Sequence, residues 1–69
     1  MRGPVILTQR QAEIVALYET ANPSYREVGE KLGISPHTVK VHINHIVQRL
    51  DTTLPAKMAL ISYARRDTD

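Results

Sequence analysis

The chain has 69 residues, a formal net charge of +2 at pH 7 and no cysteine, so it can form one small domain without disulfides or thiolate metal sites. No apolar run approaches the roughly 20 residues that cross a bilayer, and the N-terminus lacks a signal-peptide pattern. We therefore expect a soluble, cytoplasmic protein without membrane contact.

Helical periodicity without a strand pattern predicts an all-α domain of four helices. The predicted boundaries are an extended lead-in at 1–6, the folded domain at 7–66 and a tail at 67–69.

The first helix is predicted over residues 8–20. Thr8 is the expected N-cap, and Gln11 three residues later completes a capping box, in which each side chain binds the backbone amide of the other residue. Asn22 and Pro23 then end the helix, because the residue before a proline avoids helical backbone angles. The predicted core stripe of this helix is Ile14, Leu17, Tyr18 and Ala21.

The second helix is predicted over residues 24–32 and begins with another capping box, formed by Ser24 and Glu27. Four residues at positions i, i+3, i+4 and i+7 give it a single inward face. These residues are Tyr25, Val28, Gly29 and Leu32.

A tight turn is predicted between the second and third helices. Gly33 can end the second helix in a left-handed backbone conformation, and Gly29 lacks a side chain where the two helices approach. Ser35 is the expected N-cap of the third helix, and Pro36 suits its first position. These signals in register are typical of a helix-turn-helix that reads DNA. The alternative is an ordinary corner between two helices.

The third helix is predicted over residues 35–50 and has two faces of different chemistry. At about 100° per residue, one face is apolar and must be core. The other carries Lys40, Val41 and Asn44, which match guanine, a thymine methyl and adenine in the major groove. The core face is Val39, Ile43, Ile46, Val47 and Leu50, and the opposite face is His37, Lys40, Val41, Asn44 and Gln48.

Charge supports the same interpretation of this helix. From Lys31 through Leu50 there is no acidic residue, although the segment contains three basic residues and all three histidines. A basic stripe on a nearly neutral body is typical of a small DNA-binding domain. We therefore assign base reading to His37, Lys40, Val41 and Asn44.

The fourth helix is predicted over residues 55–65, with Ala56, Ala59, Leu60 and Tyr63 as its core stripe. Met58 and Ile61 fall on the other side, where neither the core nor DNA requires them. Two exposed apolar side chains on so small a domain predict a surface for a partner, and we assign them to a dimer interface. The alternative is that both pack against the first helix.

Metal binding and catalysis find little support in the sequence. His42 and His45 lie one turn apart, but no carboxylate or cysteine joins them at ligand spacing, and a zinc site needs more than two ligands. There is no Ser-His-Asp order, no carboxylate pair and no glycine-rich phosphate loop. We expect no enzyme activity, no metal, no cofactor and no small-molecule ligand within this chain.

With these residues placed, the chain resembles the LuxR/GerE family of bacterial transcription regulators from Leu7 to Arg65. Alanine is usual in that family where this chain has Gly29, and glycine is frequent where it has Asp51. The stretches that carry the resemblance are Leu7-Thr8-x-Arg10-x-x-Glu13-Ile14-Val15, Ser24-x-x-Glu27-Val28-Gly29-x-x-Leu32, Ile34-Ser35-x-x-Thr38-Val39-Lys40-x-His42 and Ile46-x-x-Arg49-Leu50.

The resemblance implies that the third helix enters the major groove and that the fourth pairs two protomers. It also implies base contacts for Lys40, Val41 and Asn44, and DNA-backbone contacts around Thr38. We expect a transcription regulator that binds double-stranded DNA as a homodimer. The full set assigned to the DNA backbone is Tyr25, Ser35, Thr38, His45, Gln48 and Arg49.

Two other functions remain open at this point. The stretch Ser24-Tyr25-x-Glu27-Val28 is also similar to region 4 of sigma factors, which would add RNA polymerase as a partner. A protein-interaction module that kept the fold and lost DNA binding is the second alternative, although the basic stripe argues against it.

Overall fold

The computed structural model describes residues 6–66 and contains four α-helices in that range, with no strand among the described residues. This confirms the predicted all-α fold. The predicted tail and all of the predicted lead-in except Ile6 lie outside the described residues. The helices are α1 (Gln9–Leu17), α2 (Tyr25–Leu32), α3 (Pro36–Leu50) and α4 (Ala56–Ala64). None of them is both long and apolar enough to cross a membrane.

Helix α1 begins at the predicted capping box. The Thr8 hydroxyl accepts a hydrogen bond from the Gln11 amide at 3.2 Å, and the Gln11 side chain accepts one from the Thr8 amide at 3.0 Å. Gln11 is a buried polar residue, so this pairing also provides hydrogen-bond partners for its side-chain oxygen and its backbone amide.

Helix α1 ends at Leu17, three residues before the predicted end at 20. The Arg65 guanidinium donates hydrogen bonds to the carbonyls of Tyr18, at 3.1 Å, and Ala21, at 3.0 Å. The Tyr18 hydroxyl donates to the Pro23 carbonyl at 3.0 Å. These tertiary contacts stabilise a non-helical connection from Tyr18 onward, which periodicity does not reveal. Ala21 is consequently exposed, and its assignment to the core stripe is wrong.

The turn between α2 and α3 follows the prediction closely. Gly33 has a φ of 71°, in the left-handed region, and its amide donates to the Gly29 carbonyl. A Cβ atom at Gly29 would lie 2.5 Å from the Ile34 carbonyl oxygen. Because Gly29 has no side chain, the backbone of the turn can pack directly against α2. This contact limits the distance between α2 and the start of α3.

Helix α3 begins with Ser35, whose hydroxyl accepts a hydrogen bond from the Thr38 amide at 3.1 Å. Pro36 occupies the first helical position, where its missing amide hydrogen costs nothing. The helix ends at Leu50, and the C-cap residue Asp51 adopts a left-handed conformation with a φ of 52°. This conformation is strained for a residue with a side chain and explains why glycine is favoured at such positions.

The core lies where α3 packs against the other three helices, and α1 also packs against α4. Val15 and Ala64 are buried although the predicted stripes omit them. The core cluster is Ile14, Val15, Tyr18, Val28, Val39, Ile43, Ile46, Leu60 and Ala64. The inward face of α4 is wider than predicted, because Ile61 is half-buried and packs against this cluster. The prediction that the core does not use Ile61 is wrong.

Candidate nucleic-acid interface

The outer face of α3 is exposed along its whole length. Lys40, Val41, Asn44 and Gln48 are all exposed, with 37% of the Val41 surface accessible to solvent. Within residues 6–66, the side chains of Lys40, Asn44 and Gln48 have no hydrogen-bond or ion-pair partner. His37, at the start of the helix, is also exposed. The predicted base-reading residues thus lie together on one accessible face.

The predicted DNA-backbone residues surround this face at different depths. At the start of α3, the Ser35 and Thr38 hydroxyls lie 2.8 Å apart and share a hydrogen bond. His45 and Gln48 are exposed farther along the helix. Tyr25, the first residue of α2, is half-buried and packs against the core cluster.

Arg49 has an intramolecular contact that the sequence does not predict. One guanidinium nitrogen donates a hydrogen bond to the Ile6 carbonyl at 3.0 Å, although the two residues are 43 positions apart. A guanidinium has five N–H donors, so this bond leaves donors for a phosphate. Arg49 therefore anchors the segment before α1 at the C-terminal end of α3.

The acidic side chains of α1 and α2 are occupied by neighbours on their own helices. Glu13 pairs with Arg10 at 3.1 Å, and Glu30 pairs with Arg26 at 3.6 Å. Glu27 accepts a hydrogen bond from the Ser24 amide at 2.8 Å. Its backbone and side-chain hydrogen bonds with Ser24 lower the pKa of Glu27, so its carboxylate stays ionised and bound to the cap. The positive residues of α3 have no such intrahelical counterions.

Helix α4 contributes one cation that no sequence pattern reveals. The Lys57 ammonium lies 5.8 Å from the ring centroid of Tyr18 and 5.4 Å from that of Tyr25. The three residues come from different parts of the chain, and no local spacing brings them together. Their meeting depends on the tertiary fold, which brings the Lys57 ammonium at the start of α4 close to both rings.

The two histidines considered as metal ligands differ in exposure: His42 is half-buried and His45 is exposed. In the part of the chain that the structure describes, no three histidine or carboxylate side chains are grouped closely enough to hold a metal ion.

On α4, 58% of the Met58 surface is exposed, as expected for a residue outside the core. Ile61 offers a smaller apolar surface beside it.

Part of the chain is similar to a segment of a curated protein. The chain is 44% identical over 46 residues to the transcriptional activator protein CarR of Pectobacterium carotovorum subsp. carotovorum. The matched segment is 67% of this chain and 18% of that protein, so the chain corresponds to a small part of its relative. No solved structure matches this chain.

The sequence model for bacterial regulatory proteins of the luxR family, GerE, matches residues 5–64. That range contains all four helices, including the helix-turn-helix formed by α2 and α3. The match confirms the predicted resemblance, and with it the expectation of a regulatory protein domain and not an enzyme. The chain belongs to the luxR family of bacterial regulatory proteins.

Proposed function

We propose that this domain binds double-stranded DNA in a sequence-specific manner and regulates transcription in the bacterial cytoplasm, with α3 in the major groove. The observation that supports it most is the exposed row of Lys40, Val41 and Asn44. These side chains present hydrogen-bonding groups and an apolar surface on one face of an α-helix, and the major groove is wide enough to admit an α-helix. Membership of a family of regulatory proteins supports the same role.

In this proposal, base reading belongs to His37, Lys40, Val41 and Asn44. Lysine is suited to the acceptors of guanine, asparagine to the edge of adenine and valine to the methyl of thymine. The remaining polar residues fix the orientation of the domain by contacting phosphates, which carry no sequence information. These residues are Tyr25, Ser35, Thr38, His45, Gln48 and Arg49.

The test compares two amides on the same face of α3. Selection of binding sites from random duplexes defines the preferred sequence, and affinities are then measured for that site and its single-base variants. Asn44→Ala should relax specificity at one base position and weaken the preferred site by about 1–3 kcal/mol. Gln48→Ala, one turn along, should weaken all the sites alike.

Two results would refute the assignment of base reading. Wild-type protein that enriches no sequence has no base-reading activity. Equal weakening of every site by Asn44→Ala would place that residue on the backbone. Addition of core RNA polymerase to the same binding assay distinguishes a regulator that binds DNA alone from the sigma-like alternative, which requires the polymerase.

We further propose that two protomers pair through α4, around Met58 and the accessible part of Ile61. A symmetric pair would present two α3 helices to half-sites about 34 Å apart on one side of the duplex. Met58→Glu should abolish self-association in sedimentation experiments and weaken binding to a paired site. Ala12→Glu, which adds the same charge at an exposed position on α1, is the matched control, because Ser62 lies one turn from Met58 on the same face of α4. Unchanged association of Met58→Glu would place the interface elsewhere.

A further inference from the structure

Lys57, Tyr18 and Tyr25 meet at a junction that lies outside the base-reading face of α3. The Lys57 side chain starts in the first turn of α4, is half-buried, and places its ammonium within 6 Å of two tyrosine rings on other segments. The nearer ring belongs to Tyr25, the first residue of the helix-turn-helix. A cation from α4 is therefore held over the residue that begins α2.

The polar groups of this junction remain available for a ligand. Among residues 6–66, no carboxylate or carbonyl accepts a hydrogen bond from the Lys57 ammonium. The Tyr25 hydroxyl likewise has no partner there. Contact with the rings directs the ammonium without using its three N–H donors in hydrogen bonds to oxygen.

One acidic group lies close enough to oppose an anion at this junction. The pKa of Glu27 is lowered first by its hydrogen bonds with Ser24, and the charge of Lys57 contributes to the same shift. The Glu27 carboxylate already accepts a hydrogen bond from the Ser24 amide at 2.8 Å. The positive charge of Lys57 therefore partly offsets the negative charge of Glu27.

We propose that Lys57 and Tyr25 together contact one phosphate of the DNA backbone, which extends the DNA-binding surface from the helix-turn-helix onto α4. The inference rests on the proposed function. The first helix of a helix-turn-helix crosses the phosphate backbone, so a hydroxyl and an ammonium at its start lie where a phosphate passes. The ring contact holds both groups in place before DNA binds.

The experiment measures the salt dependence of binding to a short mixed-sequence duplex, because this dependence counts phosphate contacts without requiring a known operator. Lys57→Met keeps the length of the side chain and removes its charge. The slope of log affinity against log salt should decrease in magnitude by about 0.9, the value for one phosphate contact. Lys57→Arg should restore the wild-type slope.

A matched control is present at the other end of the same helix. The Arg66 guanidinium carbon lies 4.0 Å from the centroid of the Tyr63 ring, so Arg66→Met also removes one positive charge stacked on a tyrosine. It should leave the slope unchanged. An equal decrease for Arg66→Met would show that only net charge matters, and would overturn the proposal.

The pairing of the two groups is tested by Tyr25→Phe, which removes the hydroxyl and keeps the ring. It should weaken binding several-fold with little change in slope, and its effect should be smaller in the Lys57→Met background because both groups contact one phosphate. Additive effects would overturn the shared contact. If Lys57→Met melts below the assay temperature, Lys57→Gln at a lower temperature replaces it.

Two failures remain distinguishable. Wild-type protein that binds no duplex would overturn the proposed function, and this inference with it. Wild-type binding with the same slope for Lys57→Met would overturn this inference alone, and would leave Lys57 as a residue that packs α4 against the tyrosines.

Discussion

Replacement of Gly29 by alanine provides a sharp test of the close approach inside the helix-turn-helix. The new Cβ atom would lie 2.5 Å from the Ile34 carbonyl oxygen, about 0.9 Å short of the 3.4 Å at which ordinary contacts begin. It would also lie 3.4 Å from the Pro36 nitrogen. These are backbone atoms, so rotation of a side chain cannot relieve the contact.

The expected cost is the balance of two effects of opposite sign. Alanine in a helix interior is favoured over glycine by about 1 kcal/mol. Overpacking at a close contact costs about 1–3 kcal/mol, and here the turn must shift while Ser35 still caps α3. We expect a net destabilisation of about 1 kcal/mol, or a fall of about 4–8 °C in the melting temperature of a domain of this size.

Thermal and urea unfolding followed by circular dichroism measure this change, and Gly33→Ala provides the comparison. Gly33 has open space around its Cβ position but a φ of 71°, so alanine there costs about 1–2 kcal/mol through backbone strain alone. Both variants should be destabilised, one by steric contact and the other by conformation.

The outcome also separates this turn from those of its relatives, in which alanine is usual at the position of Gly29. A Gly29→Ala protein that melts at or above the wild-type temperature, while Gly33→Ala is destabilised, would refute the close approach. It would show that α3 can move away from α2 without a loss in the free energy of unfolding, so that the turn accommodates alanine at this position.

Two further substitutions test the end of α3 and the burial of Tyr18. Asp51→Gly should stabilise the domain by about 1 kcal/mol, because glycine adopts the left-handed conformation at this helix end without strain; a lower melting temperature would show that contacts of the aspartate outweigh it. Burial raises the pKa of Tyr18 from 10.0 to about 12, so the folded state holds this proton more tightly than the unfolded state. The resulting stability is complete below pH 10 and is lost as pH rises towards 12. Tyr18→Phe should lose the hydrogen bond to Pro23, worth about 1 kcal/mol, at neutral pH. Its disadvantage in unfolding experiments should shrink across this alkaline range, and a constant difference would contradict the burial argument.

The features that the sequence predicted well depend on neighbours a few residues apart. Thr8 with Gln11, and Ser24 with Glu27, form both hydrogen bonds of each capping box. Gly33 adopts the left-handed conformation that a tight turn needs. Such signals are readable because cap and turn geometry is determined within one helical turn.

The errors concern contacts between residues far apart in the chain. Periodicity could not show that Arg65 would bind the carbonyls after α1, and the predicted helix is therefore too long. The sequence does not reveal the width of the inward face of α4, because nearly all of its side chains are apolar or small and no polar face marks its limits. Ile61 was consequently assigned to the surface. The junctions at Arg49 and Lys57 likewise require the folded chain.

The hydrogen bonds from Arg65 have a consequence for the local motions of the domain. Arg65 follows α4 directly, yet its guanidinium binds Tyr18 and Ala21 in the connection that leads into α2. Loss of these bonds when the end of α4 frays would release that connection, so we expect the two segments to open as one unit. Amide hydrogen exchange in both should then have the same opening free energy, and a ligand that orders α4 would slow exchange at the start of the helix-turn-helix.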